Sequence, residues 1–130
     1  MLVSRLKAAL GAPTTKQSGD AAEDRALHYL QRAGLRLLER NYRTPGRGGG
    51  EIDLVMREPD GTTVFVEVRA RRSATHGGAA ASVNAVKQRR IIFAARHYLR
   101  RLREPPPCRF DVLLLEGENI QWLRAAFDAL

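Results

Sequence analysis

The sequence predicts an α/β domain, a mixed β-sheet flanked by helices. Three observations carry this. Two runs with period-two alternation, EIDLVMRE and TTVFVEVRA, flank a Pro-Asp-Gly turn. Stretches with helical apolar spacing lie before and after that hairpin. The second of them leads into an apolar run, RFDVLLL, so strand, helix and strand form a βαβ unit. Such strands are parallel and their crossover is right-handed.

The elements follow in chain order. Residues 1–18 contain Gly11, Pro13 and a Thr-Thr-Lys-Gln-Ser run and read as a loose tail, leaving one domain over 19–130. A helix is predicted over 20–33, with Asp20 as N-cap, Ala22, Ala26, Leu27, Tyr29 and Leu30 as its apolar stripe, and Gly34 as its stop. A strand over 35–42 precedes TPGRGGG, which reads as a flexible connector.

Strands over 51–58 and 62–70 form the hairpin. A three-residue loop, Pro59-Asp60-Gly61, suits a type I turn followed by a left-handed glycine. Glu58 then faces Thr62, and Ile52, Leu54 and Met56 share an apolar face with Val68, Val66 and Val64. A two-residue turn would mix these residues with Glu67 and Arg69, because a one-residue slip flips every side chain. A basic, Gly/Ala-rich loop covers 71–81, and a second helix runs over 84–103 with Ser82 or Asn84 as cap. Its buried face is Ile91, Ile92, Ala95, Tyr98, Leu99 and Leu102, and Pro105 ends it. A strand over 109–115, a short one over 120–123 and a closing turn over 125–130 complete the chain.

Composition bounds the function. The 130 residues make one domain with a real core. No apolar run approaches the roughly 18 residues of a membrane span, and the basic residues in MLVSRLKAAL make a poor signal peptide. The lone Cys108 excludes an internal disulfide and a thiolate metal site. These features predict a cytoplasmic protein without a membrane partner. The net charge of +8 points to a polyanionic partner, nucleic acid first.

The hairpin register places Asp53 opposite Glu67 and Arg69 opposite Glu51. Facing carboxylates about 5 Å apart repel. Two readings are open. A divalent metal removes the repulsion, and Mg²⁺ suits such a site because it takes oxygen ligands, often only one or two carboxylates, and completes its octahedron with water and phosphate. Alternatively, Arg57, Arg69 and Arg72 neutralise the acids in a cross-strand charge cluster. The bases Arg69, Arg71, Arg72, Lys87, Arg89 and Arg90 fall where the third strand ends and the second helix begins, beside the acids. Guanidinium forks there suit a phosphate backbone; a solvated basic face is the plainer reading. No stripe of exposed aromatics for stacking single-stranded bases is visible. His28, His76 and His97 show no ligand spacing, and His97 falls on the solvated side of its helix. GRGGG lacks the Gly-Lys-Ser/Thr of a phosphate loop.

GGEIDLV, VFVEVRARR, KQRR and RFDV, in that order, together with GDAAE and Arg40-Asn41-Tyr42, resemble the YraN family of small bacterial proteins. That family is similar to the PD-(D/E)xK restriction-endonuclease-like superfamily, and within it to archaeal Holliday junction resolvases. The resemblance implies a three-layer domain, mixed sheet between helices, and a Mg²⁺-dependent (or Mn²⁺-dependent) endonuclease on branched or damaged DNA. It implies Glu23 as the helix acid, Asp53 and Glu67 as metal ligands, and Gln88 as a supporting polar group. Arg69 occupies the slot of the superfamily's lysine. Arginine stays protonated, so it can contact a phosphate but cannot act as a general base. Lys87, Arg71, Arg72, Arg89 and Arg90 would grip the backbone. A homodimer would match a two-fold junction. The competing functions are a nucleic-acid-binding module with a decayed site and a basic adaptor for an acidic protein or membrane.

Overall fold

The computed structural model describes residues 15–71 and 83–129. Helix α1 spans Thr15–Arg32 and α2 Ala85–Leu99; strands β1 to β5 span Arg36–Arg43, Glu51–Arg57, Thr63–Arg71, Cys108–Glu116 and Asn119–Phe127. The five strands lie in one sheet in sequence order. Only β3 and β4 are parallel. They are the pair joined through α2, as a crossover connection requires. The α/β class and the mixed sheet are therefore as the sequence predicts.

Period-two alternation gives the sheet two apolar faces. Leu54, Met56, Val64, Val66, Leu113 and Leu115 pack on Ala22, Ala26 and Leu30 of α1. Val55, Phe65, Phe110 and Val112 pack on Ile91, Ala94, Ala95 and Tyr98 of α2. Phe65, Leu30 and Ile91 are among the largest side chains with almost no exposure, each burial contributing roughly 1.5–3 kcal/mol.

The hairpin has the predicted register. The Glu58 N–H donates to Thr62 O at 2.9 Å, the Gly61 N–H to Glu58 O at 2.9 Å, and Leu54 and Met56 pair with Val66 and Val64. Gly61 has φ +96°, the left-handed state that the loop needs. Gly34, at φ +100°, ends α1 as foreseen: Gly34 N–H donates to Gln31 O and Leu35 N–H to Leu30 O, a Schellman pair.

Several expectations are corrected. The first helix is already formed at Thr15, so Gly19 and Asp20 lie inside it and Asp20 is no N-cap. Of the predicted tail, residues 1–14 lie outside the description and 15–18 are helical. Asn84 is the α2 cap, its side chain accepting the Lys87 N–H at 2.8 Å; Ser82 lies outside the described residues. That helix ends at Leu99, not at 103, because Arg101 and Leu102 donate three residues back to Tyr98 and Leu99 and tighten the turn before Pro105. β5 runs to Phe127 where a short strand and a closing turn were expected. The left-handed Ala125 (φ 51°) interrupts its pairing, and the Asp111 carboxylate restores it by accepting the Ala125 N–H at 2.9 Å.

The glycine-rich connector is not free. The Gly50 N–H donates to Thr44 Oγ1 at 2.7 Å and the Thr44 N–H donates to Gly50 O at 3.1 Å. A Cβ on Gly50 would stand 1.9 Å from the Arg90 carbonyl oxygen and 3.2 Å from Ala94 Cβ. Glycine here lets α2 rest on the start of β2, and so sets the height of the helix above the sheet.

Ile52 is on the other face from the one predicted. It packs with Tyr42, Val55 and Phe65 under α2, not with Leu54 and Met56. The cause lies across the ladder. β1 pairs Arg40 with Leu54 and Tyr42 with Ile52, so Asn41 stands level with Asp53. Asn41 is left-handed, φ 55°, a state that asparagine tolerates better than most residues. It turns β1 over at this level, and β2 turns with it.

Candidate active site

The β2–β3 ladder stops pairing at Leu54 and Val66, one residue short of Asp53 and Glu67. In place of a further backbone rung, the Val68 N–H donates to Asp53 Oδ2 at 2.8 Å. The Asp53 carboxylate is thereby fixed to the backbone of β3, beside Glu67. The two acids therefore meet, as the register predicts, at the point where the sheet begins to open.

Their electrostatics are those of a crowded pair. Glu67 is 5% exposed. Burial, then the negative charge of Asp53, pushes its carboxyl from an ordinary 4.5 up to about 8; Lys87 and Arg69 oppose the rise. Burial also raises Asp53, against the Val68 N–H that stabilises its charge. At neutral pH this favours a proton held on the pair, because Lys87 and Arg69 offset only part of the cost of ionising two adjacent buried carboxylates. Glu67 Oε2 has no hydrogen-bond partner among the described residues.

Two cations flank the pair. Arg69 Nε stands 3.9 Å from Glu67 Oε1, and Lys87 Nζ 3.7 Å from Oε2. Arg69 thus leans along its own strand toward Glu67; the predicted partner Glu51 pairs instead with Arg43 at 3.4 Å. Lys87, expected among the groups gripping a backbone, comes into the acid pair from the first turn of α2. Gln88, expected to support the site, donates from Nε2 to Val83 O at 2.9 Å and so anchors the chain entering the helix.

Glu23 reaches the same end of the sheet from α1. Burial raises its carboxyl first and Asp53 second. Arg40 holds it at 3.3 Å, and also binds Asp24 at 2.6 Å and the Asp20 carbonyl at 3.2 Å. Arg40 has no role in the sequence reading beyond its place in Arg40-Asn41-Tyr42; a lone arginine in a strand gives no sign of the helix it clasps. A cleft of about 630 Å³, lined in part by Glu23, Asp24, Arg40, Asn41 and Glu51, opens beside it.

The other bases divide. Arg71 binds Glu116 at 2.9 Å. Arg89 and Arg90 are exposed on the outer side of α2. Arg72, Ser73 and His76 lie outside the described residues. His97 is half-buried and bonded to the Tyr42 hydroxyl, so it is not on a solvated face. Phe93 is an exposed aromatic that lies off the predicted buried face of the helix; its position outside the 91, 95, 98 stripe is the signal that could have found it.

Asp53 and Glu67 supply hard oxygen donors and one orphaned buried oxygen, which fits Mg²⁺ with water filling most positions. Among the described residues no group of three or more His, Cys, Asp or Glu could hold a metal, so a site needing three such side chains is not built here. No helix of the described residues is long and apolar enough to cross a membrane.

The chain is similar throughout to proteins of several bacteria. It is 72% identical over 129 residues to a UPF0102 protein of Albidiferax ferrireducens, covering 99% of both chains. It is 69% identical over 116 residues to one of Paracidovorax citrulli, covering 89% of this chain and 86% of the relative. The match to one of Acidovorax sp. is 65% over 118 residues, with 91% and 89% covered. The model of the uncharacterised protein family UPF0102 matches residues 22–115, a span holding the acid pair, both flanking cations and Glu23. The chain therefore belongs to the UPF0102 family.

Proposed function

We propose that this protein is a Mg²⁺-dependent endonuclease of restriction-endonuclease-like, three-layer fold, acting in the cytoplasm on branched or damaged DNA. One observation carries the reading. A buried carboxyl pair, Asp53 and Glu67, sits where the sheet opens, favours a held proton at neutral pH, and is flanked by Arg69 and Lys87. A structural charge cluster would have paired its acids directly with cations, whereas these contacts are long and one buried oxygen has no hydrogen bond.

Asp53 and Glu67 would hold the ion, Mg²⁺ or Mn²⁺ in its place, with Glu23 contributing through water. When bound, the ion supplies Lewis acidity toward the phosphate and a more acidic water. The chain's own groups do the rest. The Val68 N–H fixes Asp53. Arg69 and Lys87 direct positive charge at the place where a scissile phosphate would lie, and Arg71, Arg72, Arg89 and Arg90 would grip the DNA backbone. Arg69 cannot remove a proton. A homodimer would bring two such sites to the two strands of a junction.

Arginine in the lysine slot favours a second reading, a nucleic-acid-binding module with a decayed site. Cleavage of labelled duplex, flap and four-way-junction DNA with Mg²⁺ or Mn²⁺ separates them. The first reading expects cutting by the wild type and none by Asp53→Ala, with binding retained. Equal, metal-independent binding without cutting in both proteins selects the second.

A further inference from the structure

We propose that the outer face of α2 binds nucleic acid at unpaired bases, and that Phe93 is the platform on which such a base stacks. The proposal rests on the nucleic-acid reading above and narrows it from duplex to strands carrying unstacked bases.

The helix, AVKQRRIIFAARHYL, contains no acid. Ile91, Ala94, Ala95 and Tyr98 bury one side of it. Phe93 lies on the opposite side and is 52% exposed. On a helix, neighbours on one face are three, four and seven residues apart. Around Phe93 those positions hold Arg89, Arg90, Arg96 and Arg100, all exposed, together with the exposed Val86 and the half-buried His97. None of the four arginines makes an ion pair with the described residues, whereas Arg40, Arg71 and Arg109 each have a carboxylate. Four uncompensated cations around one exposed ring repel one another and favour a polyanion.

The ring selects among polyanions. A paired duplex offers this face phosphates, and a phenyl group gains nothing from them. An unstacked base offers a flat π-surface, and stacking on an aromatic residue is tolerant of sequence. A second copy of the chain would bring arginines against arginines, which the like charges oppose. Lys87, which turns inward to Glu67, stands six residues before Phe93, about 9 Å along the helix and about 120° around it, so the stacking face is separate from the acid pair.

The test uses a duplex with a two-base bulge carrying 2-aminopurine, and the matching fully paired duplex, both in EDTA at low salt so that no cleavage intervenes. The wild type should quench the fluorophore. Phe93→Ala should lose the quench and bind the bulged DNA roughly 5- to 150-fold more weakly, the range for one base–aromatic stack, with affinity for paired duplex unchanged. Phe93→Tyr should behave as wild type, which separates stacking from any change in helix stability. A Phe93→Ala protein that quenches and binds both DNAs like wild type overturns the platform and leaves the basic face standing. A wild type that binds neither DNA overturns the nucleic-acid reading itself. Concentration-dependent dimerisation lost in Phe93→Ala would in that case reassign the face to a second copy.

Discussion

Replacing Glu67 by Gln should make the protein more stable at alkaline pH, a result opposite to the usual effect of deleting a buried polar group. In the fold the Glu67 carboxyl is raised from 4.5 to about 8, chiefly by burial and then by Asp53. Between those values the native state binds a proton that the unfolded chain has released. Stability therefore falls as pH rises through this window, is complete below about 4.5 and is lost by about 8. At 1.36 kcal/mol for each pKa unit, the rise sets an upper bound of about 5 kcal/mol on that loss. Asp53, also raised, shares the proton, so the two do not add. Urea denaturation in EDTA from about pH 5 to pH 8.5 measures the loss directly. Wild type should lose several kcal/mol across the range, and Glu67→Gln much less, so that the variant is the more stable protein at the alkaline end. Mg²⁺ at alkaline pH should restore wild type and leave Glu67→Gln unmoved. Parallel curves for the two proteins would refute the view that burial and Asp53 hold a proton on Glu67.

Other substitutions test the surrounding frame. Gly50→Ala drives a Cβ to within 1.9 Å of the Arg90 carbonyl oxygen, so α2 must lift; a cost of about 1–3 kcal/mol should appear in thermal melts, with activity falling further as Lys87 and Gln88 move. Asp111 is fully buried and accepts from Arg109, the Trp122 indole and the Ala125 N–H. Asp111→Ala leaves the Trp122 indole and the Ala125 N–H without their acceptor, while Arg109 keeps Glu58, and should cost about 1–3 kcal/mol, with a smaller loss in denaturant refuting its role as the clamp of β5. Arg69→Lys keeps the charge beside Glu67 and admits a group that can lose its proton; Mg²⁺-dependent cutting should rise, and a fall would mark arginine as the better phosphate contact here.

Much of this was legible in the residues, and the reasons differ by element. The hairpin register followed from Pro59, Gly61 and period-two alternation, because a turn type and a buried face each fix register alone. Asp53 and Glu67 came from the same count. The face of Ile52 was not legible, since it depends on a left-handed Asn41 in another strand. Lys87 was read as one basic residue among several because its approach to Glu67 depends on how high α2 rides over the sheet. Gly50 sets that height by meeting the Arg90 carbonyl, a contact between segments forty residues apart. The length of β5 was hidden for a similar reason: a buried aspartate in β4, not a pattern in β5, carries it past Ala125.

The central claim is that a divalent cation takes the place of the proton held between Asp53 and Glu67. Calorimetric titration of Mg²⁺ or Mn²⁺ into the metal-free protein at neutral pH, in two buffers of different ionisation enthalpy, tests it most directly. The account predicts one ion bound per chain with release of about one proton, and neither binding nor release in Asp53→Ala. Binding unchanged in Asp53→Ala, or no binding by the wild type at millimolar metal, would contradict it.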